Sequence, residues 1–156
     1  MISSTVTQFL DSAGVEYVIK PHSMPVFTCE AAAEQRGVRV SQIVKCMVGQ
    51  AEAGLVAMLI PGDKSLKSSK ARKYLKVPRL DLVSPEDLEQ RWGLTVGAIS
   101  PTQLVGKARI LMDPSVFEEN VVDISSGDPL AGVELSPREL LRVLGAEIVE
   151  IVSLNH

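Results

Sequence analysis

The sequence predicts an α+β fold: a single domain over residues 1–156, with a mixed, mostly antiparallel, barrel-like β-sheet and flanking helices. Three observations carry this expectation. The length of 156 residues suits one domain and lets the chain bury roughly 70% of its unfolded surface without staples. The residues are 46% hydrophobic but only 4% aromatic, so the core is expected to be Val, Leu, Ile and Ala. Strand-like and helix-like stretches mix without a regular βαβα rhythm, and no repeat or low-complexity tract interrupts them.

In chain order, Val6, Phe9, Leu10 and Ala13 recur at helical spacing across Ser3 to Ala13, and Gly14 is a natural stop. Val15 to Ile19 alternates as a strand that ends at Pro21. Thr28 can cap a helix through Ala31-Ala32-Ala33, which Gly37 stops. Ser41 leads into an apolar strand, Ile43 to Val48. Gly49 to Gly54 reads as a hairpin loop, Leu55 to Ile60 as a second apolar strand, and Pro61-Gly62 as a turn. A basic helix follows over about Lys67 to Leu75, then a short strand from Arg79 to Val83. Ser84-Pro85-Glu86-Asp87 combines a capping Ser, Pro at the first position and acids in the first turn, so it starts a helix that stops near Gly93. Gly97 to Pro101 is an aperiodic loop. Strands are expected at Arg109 to Met112, Val121 to Ser125 and Val133 to Leu135, with a turn-rich loop from Ser126 to Gly132. Ser136-Pro137-Arg138-Glu139 repeats the helix-start pattern, Gly145 ends that helix, and Glu147 to Val152 closes the chain as a strand.

The net charge of -3 hides an asymmetry. Lys64, Lys67, Lys70, Arg72, Lys73, Lys76 and Arg79 follow one another with no intervening acid, which leaves nine basic against nineteen acidic residues elsewhere. A basic segment on an acidic protein is either a solvated helix face or a localised anion-binding surface. Met1 to Leu10 lacks the apolar core of a secretory leader, and no run approaches a membrane span. The expected location is the cytoplasm, with Cys29 and Cys46 as reduced thiols. The two Cys and the two His, His22 and His156, show no metal-ligand spacing, so no metal is expected.

The chemistry-bearing candidates are few. There is no nucleophile elbow and no phosphate-binding P-loop. Cys46 with His22 could form a thiol hydrolase, but no local signature supports it, and a small buried thiol is the simpler reading of Cys46. His22, beside prolines, reads as a loop histidine or a site residue. Lys45 stands out, because an ammonium group set in Ile43-Val44-Lys45-Cys46-Met47-Val48 needs an anion or carbonyl partner, or a route to water at a strand edge. The small residues of Gly97-Ala98-Ile99-Ser100-Pro101 let backbone amides approach a ligand, where they can stabilise an oxyanion.

Across nearly its whole length the chain resembles the YbaK and prolyl-tRNA synthetase-associated editing-domain family. The resemblance rests on Val18-Ile19-Lys20-Pro21-His22, on Val26-Phe27-Thr28 before the alanine-rich helix, and on Ile43-Val44-Lys45. It continues through Ile60-Pro61-Gly62-Asp63-Lys64, the Gly97-x-x-x-Pro101 loop, Ser126-Gly127 and the Leu135-Ser136-Pro137-Arg138-Glu139-Leu140 helix start. It implies a mixed-sheet fold and an aminoacyl-tRNA deacylase, a carboxylic ester hydrolase that works without metal or cofactor.

By the same resemblance, Lys45 and Gly97 are the catalytic positions: the lysine places the acylated adenosine or its phosphate, and the loop holds the carbonyl. His22, Phe27, Cys46, Pro61, Gly62 and Lys64 would contact substrate, as would Ala98, Ile99, Ser100, Pro101, Ser126 and Gly127. Lys67, Lys70, Arg72, Lys73 and Lys76 would meet the tRNA backbone. The implied partners are aminoacyl-tRNA and a prolyl-tRNA synthetase, with no membrane. Two departures mark this chain. Cys46 follows the lysine where the family usually places Thr, and the loop Asp128-Pro129-Leu130-Ala131-Gly132 lacks the His that some members carry. The expected reaction is trans-acting removal of a small misattached amino acid, such as Cys, Ala or Ser, from proline tRNA. A non-catalytic tRNA- or synthetase-binding module of the same fold is the alternative.

Overall fold

The backbone is organised around a long antiparallel hairpin, β2 (Val44–Ala51) and β3 (Gly54–Pro61), paired in register from Val44↔Pro61 to Ala51↔Gly54. The expected six-residue hairpin loop is therefore only Glu52-Ala53, because the ladder runs to its ends. Leu55 to Ile60 is buried at every position. A strand covered on both faces reads as a continuous apolar run rather than an alternating one. The computed structural model describes residues 5–94 and 99–154.

Two sheets form instead of one. β4 (Asp81–Leu82), β2, β3, β5 (Ala108–Met112) and β8 (Glu147–Ile148) make a five-stranded mixed sheet in that order, with β3–β5 and β5–β8 parallel. β1 (Tyr17–Pro21), β7 (Ala131–Leu135) and β6 (Val122–Ser125) make a three-stranded antiparallel sheet. Among the described residues a single parallel bridge, Ile43↔Asp123, joins them. The α+β class and the mixed pairing agree with expectation. The sheet does not close, so the architecture is two facing sheets with a seam rather than a barrel.

The main core fills the space between the sheets. Val44, Val48, Ala57, Leu59 and Met112 meet Val122, Ile124, Val133 and Leu135, and α1 (Thr5–Ser12) and α5 (Pro137–Leu144) close the layer with Val6, Leu10, Leu140 and Leu144. The opposite face of the larger sheet, with Val56, Met58 and Ile60, packs on Ala71 of α3 (Ser68–Leu75) and on Val149 and Ile151. A third cluster places Ala32 and Ala33 of α2 (Cys29–Arg36) against Val26 and Ile43 at the seam.

The helix starts behave as their sequences require. The hydroxyl oxygens of Thr28, Ser84 and Ser136 accept from Ala31 N, Asp87 N and Glu139 N respectively, opening α2, α4 (Pro85–Trp92) and α5. α3 ends on Lys76, which takes the left-handed conformation at φ 59 that glycine usually supplies. A cation there suits the negative end of the helix dipole.

The expected closing strand, Glu147 to Val152, pairs only at Glu147 and Ile148 and again at the isolated bridge Leu66↔Val152. The cause is Asp113, which is only 2% exposed. Its Oδ2 accepts from Ile151 N (2.8 Å) and Val152 N (3.1 Å), and its Oδ1 accepts from Ser115 N (2.9 Å) and Ser115 Oγ (2.6 Å). A buried carboxylate thus replaces a strand neighbour. Asp113→Ala leaves those buried N–H groups unmet, and the expected cost is about 3 kcal/mol of unfolding free energy. The urea midpoint measured with an unchanged denaturant slope tests this, and a loss under about 1 kcal/mol contradicts the clamp.

Candidate functional site

At the seam between the two sheets lies a small cleft of about 210 Å³. Its position follows from the Ile43↔Asp123 bridge, which brings the start of β2 beside β6. The start of α2 borders it through Thr28 and Cys29, and α4 borders it through Pro85.

Lys45 and Cys46 both line this cleft. They alternate along β2: Cys46 packs with Val44 and Val48 against the main core, and Lys45 shares the other face with Met47. Lys45 Nζ donates to the Lys64 carbonyl at 2.8 Å. An ammonium has three donors, so two remain for a ligand. The carbonyl supplies part of the partner that a half-buried lysine requires. Cys46 offers no nucleophile, because burial pushes its thiol pKa up to about 12.

Phe27 lines the cleft too, with 71% of its surface exposed, and Ile99 faces it from the loop side. Ser100 and Pro101 are buried behind Ile99. The Ser100 hydroxyl accepts from Thr102 N at 3.4 Å, so this residue anchors the short 3₁₀ turn Pro101–Leu104. Gly97 and Ala98 lie outside the described residues.

The other expected residues surround the cleft without lining it. Pro61 and Gly62 are buried at the end of β3, where Gly62 N donates to Ile43 O at 2.7 Å. A Cβ on Gly62 would stand 2.7 Å from the Val40 carbonyl oxygen, so the close approach needs glycine. Lys64 contributes its carbonyl. Ser126 and Gly127 shape the β6–β7 loop, with Ser126 Oγ donating to Ala131 O at 2.7 Å. Of the basic set, Lys67, Lys73 and Lys76 are exposed on or beside α3. Lys70 Nζ donates to Val152 O (3.0 Å) and Arg72 Nη1 to Pro78 O (3.5 Å).

His22 is a support rather than a cleft wall. Its Nε2 accepts from Arg36 Nε at 2.9 Å, so its Nδ1 carries the proton and donates to Pro129 O at 3.1 Å. Burial lowers its pKa, and the Arg36 guanidinium lowers it further, which keeps the ring neutral.

Sequence reasoning missed two of the three charged residues of the cleft lining, Arg36 and Asp123. Arg36 is 8% exposed and Asp123 is fully buried. Arg36 gives Nε–H to His22, and Nη1–H to the Ile124 carbonyl at 3.5 Å. Among the described residues the only partner for the Asp123 carboxylate oxygens is the facing Glu134 carboxyl, which can bond to them when one of the two is protonated. Burial raises its pKa to about 7, and the Glu134 carboxylate beside it adds to the rise, against the pull of Arg36 and Lys20. Glu134 faces Asp123 across β6–β7 and pairs with Lys20 at 3.5 Å. Asp123 could have been found by the rule that singled out Lys45, since Val122 and Ile124 flank it in a short apolar strand. Arg36 ends a polar helix and carries no such signal.

Comparisons with known proteins agree on one family. Residues 23–143 match the model of the aminoacyl-tRNA editing domain. The proline–tRNA ligase of Thermosipho melanesiensis is 28% identical over 95 residues, covering 61% of this chain; the chain spans 17% of the ligase's length. The multifunctional Ser/Thr-tRNA deacylase ProXp-y of Escherichia coli (strain K12) is 26% identical over 145 residues, covering 90% of this chain and 86% of that protein. A solved structure described as a candidate trans-editing enzyme for prolyl tRNA synthetase superposes with a TM-score of 0.79 at 26% identity, covering 97% and 99% of the two chains. A crystal structure of a hypothetical protein reaches 0.88 at 26% identity, covering 96% and 100%.

The raised pKa of Asp123 has a consequence for stability. An acid whose folded pKa is about 7, against roughly 3.9 unfolded, binds more proton in the folded state between those values. Stability therefore falls through this group as pH rises from about 4 to about 7. Asp123→Asn removes the charge at nearly constant shape. In urea titrations the variant is expected to gain on the parent as pH rises across that window. A difference that stays constant with pH contradicts a neutral Asp123.

Proposed function

The chain belongs to the aminoacyl-tRNA editing domain family, and we propose that it is an aminoacyl-tRNA deacylase acting in trans in the cytoplasm. Its substrate would be a tRNA, with proline tRNA as the leading candidate, carrying a small wrong amino acid such as Cys, Ala or Ser. Residues 1–156 would act as a single editing domain. The observation that carries this reading is Lys45, an ammonium held at one end by the Lys64 carbonyl and presented to a cleft of about 210 Å³.

In this mechanism Lys45 places the acylated terminal adenosine, through its phosphate or its ester carbonyl. Backbone amides of the Gly97–Pro101 loop receive the charge that builds on the carbonyl oxygen. A water adds to the carbonyl carbon, or a hydroxyl of the substrate does so first and water then adds to the ester it forms. The carbon–oxygen bond to the ribose then breaks, water being consumed overall, and a free amino acid and a free tRNA terminus leave. An aminoacyl ester is already activated, so positioning can supply much of the acceleration. The start of α2 at the cleft adds the positive end of a helix dipole. The narrow cleft suits discrimination by size, where one methylene is worth only about 1–3 kcal/mol and editing completes the selection.

Lys67, Lys73 and Lys76 project from or beside α3 and suit contact with tRNA phosphates, with Lys70 and Arg72 beside them. Among the described residues no helix is long and apolar enough to cross a membrane. The link to a prolyl-tRNA synthetase rests on the likeness to ligase-borne domains. A binding module that has lost turnover is the second reading, favoured by Cys46 in the place of the family's usual Thr.

Release of amino acid from charged tRNA, with protein substoichiometric, separates these readings. Lys45→Ala is expected to lower deacylation by about 10²-fold or more while leaving the thermal transition unchanged. A fully active Lys45→Ala protein overturns the mechanism, and binding of charged tRNA without release establishes the second reading.

A further inference from the structure

The cleft is too small for a whole acylated nucleoside. Its volume of about 210 Å³ falls below the roughly 300–1,000 Å³ of sites that enclose a drug-sized ligand. An aminoacyl adenosine is of that larger size. With its amino acid in the cleft, its base has to lie at the rim.

The rim is largely apolar and carries an aromatic ring. Of the lining residues, Phe27, Thr28 and Pro85 are the exposed ones. Phe27 is 71% exposed, more than any other aromatic side chain among the described residues. The other aromatics are engaged. Tyr74 donates to Glu147 and stacks with Arg109, and Trp92 stacks with Arg91. Phe9, Tyr17 and Phe117 pack against the main core.

Phe27 is not a loose loop tip. Val26 before it is buried in the cluster at the seam, and the Thr28 hydroxyl after it accepts from Ala31 N at 3.0 Å to cap α2. The backbone is pinned on both sides while the ring stays in water. A lone exposed apolar side chain is ordinary. One pinned at the mouth of a cleft that holds an ammonium fits a ligand with both a flat apolar face and a negative charge, and a nucleotide has both. The acid-free basic run from Lys64 to Arg79 continues that charge complementarity, and Lys64 meets Lys45 through its carbonyl.

We propose that Phe27 is the stacking platform for the terminal base of the acylated tRNA, which lies against the ring at the rim while the aminoacyl group enters the cleft. This rests on the deacylase reading above and adds a base contact to it. Stacking uses the π-face that every base has, so the platform registers that a base is present and not which one.

The test is a cycle of two proteins and two RNAs. Acceptor-stem RNAs carry the same terminal amino acid ester, on a ribose that bears its adenine or on an abasic ribose. Release is compared as kcat/KM for the parent and Phe27→Ala, whose thermal transitions should coincide. On the base-bearing RNA, Phe27→Ala is expected to lose about tenfold or more. On the abasic RNA the two proteins are expected to agree. Phe27→Trp keeps the parent's rate on the base-bearing RNA, and Phe27→Leu does not. An equal loss on both RNAs overturns the proposal, as does no loss on the base-bearing one or full recovery with Phe27→Leu. A parent that releases amino acid from both RNAs at one rate overturns this inference alone. Where the parent releases nothing, the deacylase reading fails, and binding of the same RNAs with an amide in place of the ester decides the platform separately. It stands if the loss of affinity in Phe27→Ala requires the base, and falls if it does not.

Discussion

A guanidinium survives in an apolar interior only where its donors are met and its plane has room, and Arg36 depends on both conditions. Its donors reach His22 at the end of β1 and Ile124 in β6, and its plane lies against the backbone of Gly132 in β7. A Cβ at residue 132 would stand 2.1 Å from Arg36 Cζ, so only glycine permits the arrangement. One side chain at the last turn of α2 thereby ties that helix to all three strands of the smaller sheet. His22 follows as a neutral ring in one tautomer, because Arg36 donates to its Nε2 and Pro129 accepts from its Nδ1.

That anchoring fixes the geometry of the seam. The Ile43↔Asp123 bridge joins the edges of the two sheets, and α2 packs Ala32 and Ala33 beside it. Lys45 leaves β2 two residues after the bridge and is steadied by the Lys64 carbonyl from the turn after β3. The cleft is therefore framed by regular elements and by backbone that close-packed glycines hold in place. A site without a nucleophile needs such framing, since misplacement of a positioned group by even an ångström removes much of its effect.

Much of the fold was legible because its signals are local. Ser84-Pro85 and Ser136-Pro137 start helices as written, Gly37, Gly93 and Gly145 end them in the left-handed conformation, and the apolar run Leu55 to Ile60 is a strand covered on both faces. The parallel pairing of β3 with β5, and the division into two sheets, were not legible, because neither depends on neighbours in sequence. Lys45 was visible as a charge in an apolar run. Arg36 was hidden in a polar helix, where a basic residue in the last turn is ordinary. Its burial is decided by Gly132, nearly a hundred residues away. Gly97 carried the expectation of an oxyanion loop, and its neighbours Ser100 and Pro101 serve to hold the 3₁₀ turn that positions Ile99.

The polar groups of the cleft differ in how they are held. Lys45 and Arg36 each have protein acceptors. Asp123 meets no donor but the neighbouring Glu134 carboxyl, and burial, with that carboxyl beside it, raises its pKa to about 7. A core position of this kind could be filled by Val or Thr at lower cost, since burying an unmet carboxyl is unfavourable in either protonation state. Packing therefore does not account for an acid at residue 123. Strain of this sort is concentrated where a ligand relieves it, and here it lies on the floor of the same small cleft that Lys45 borders.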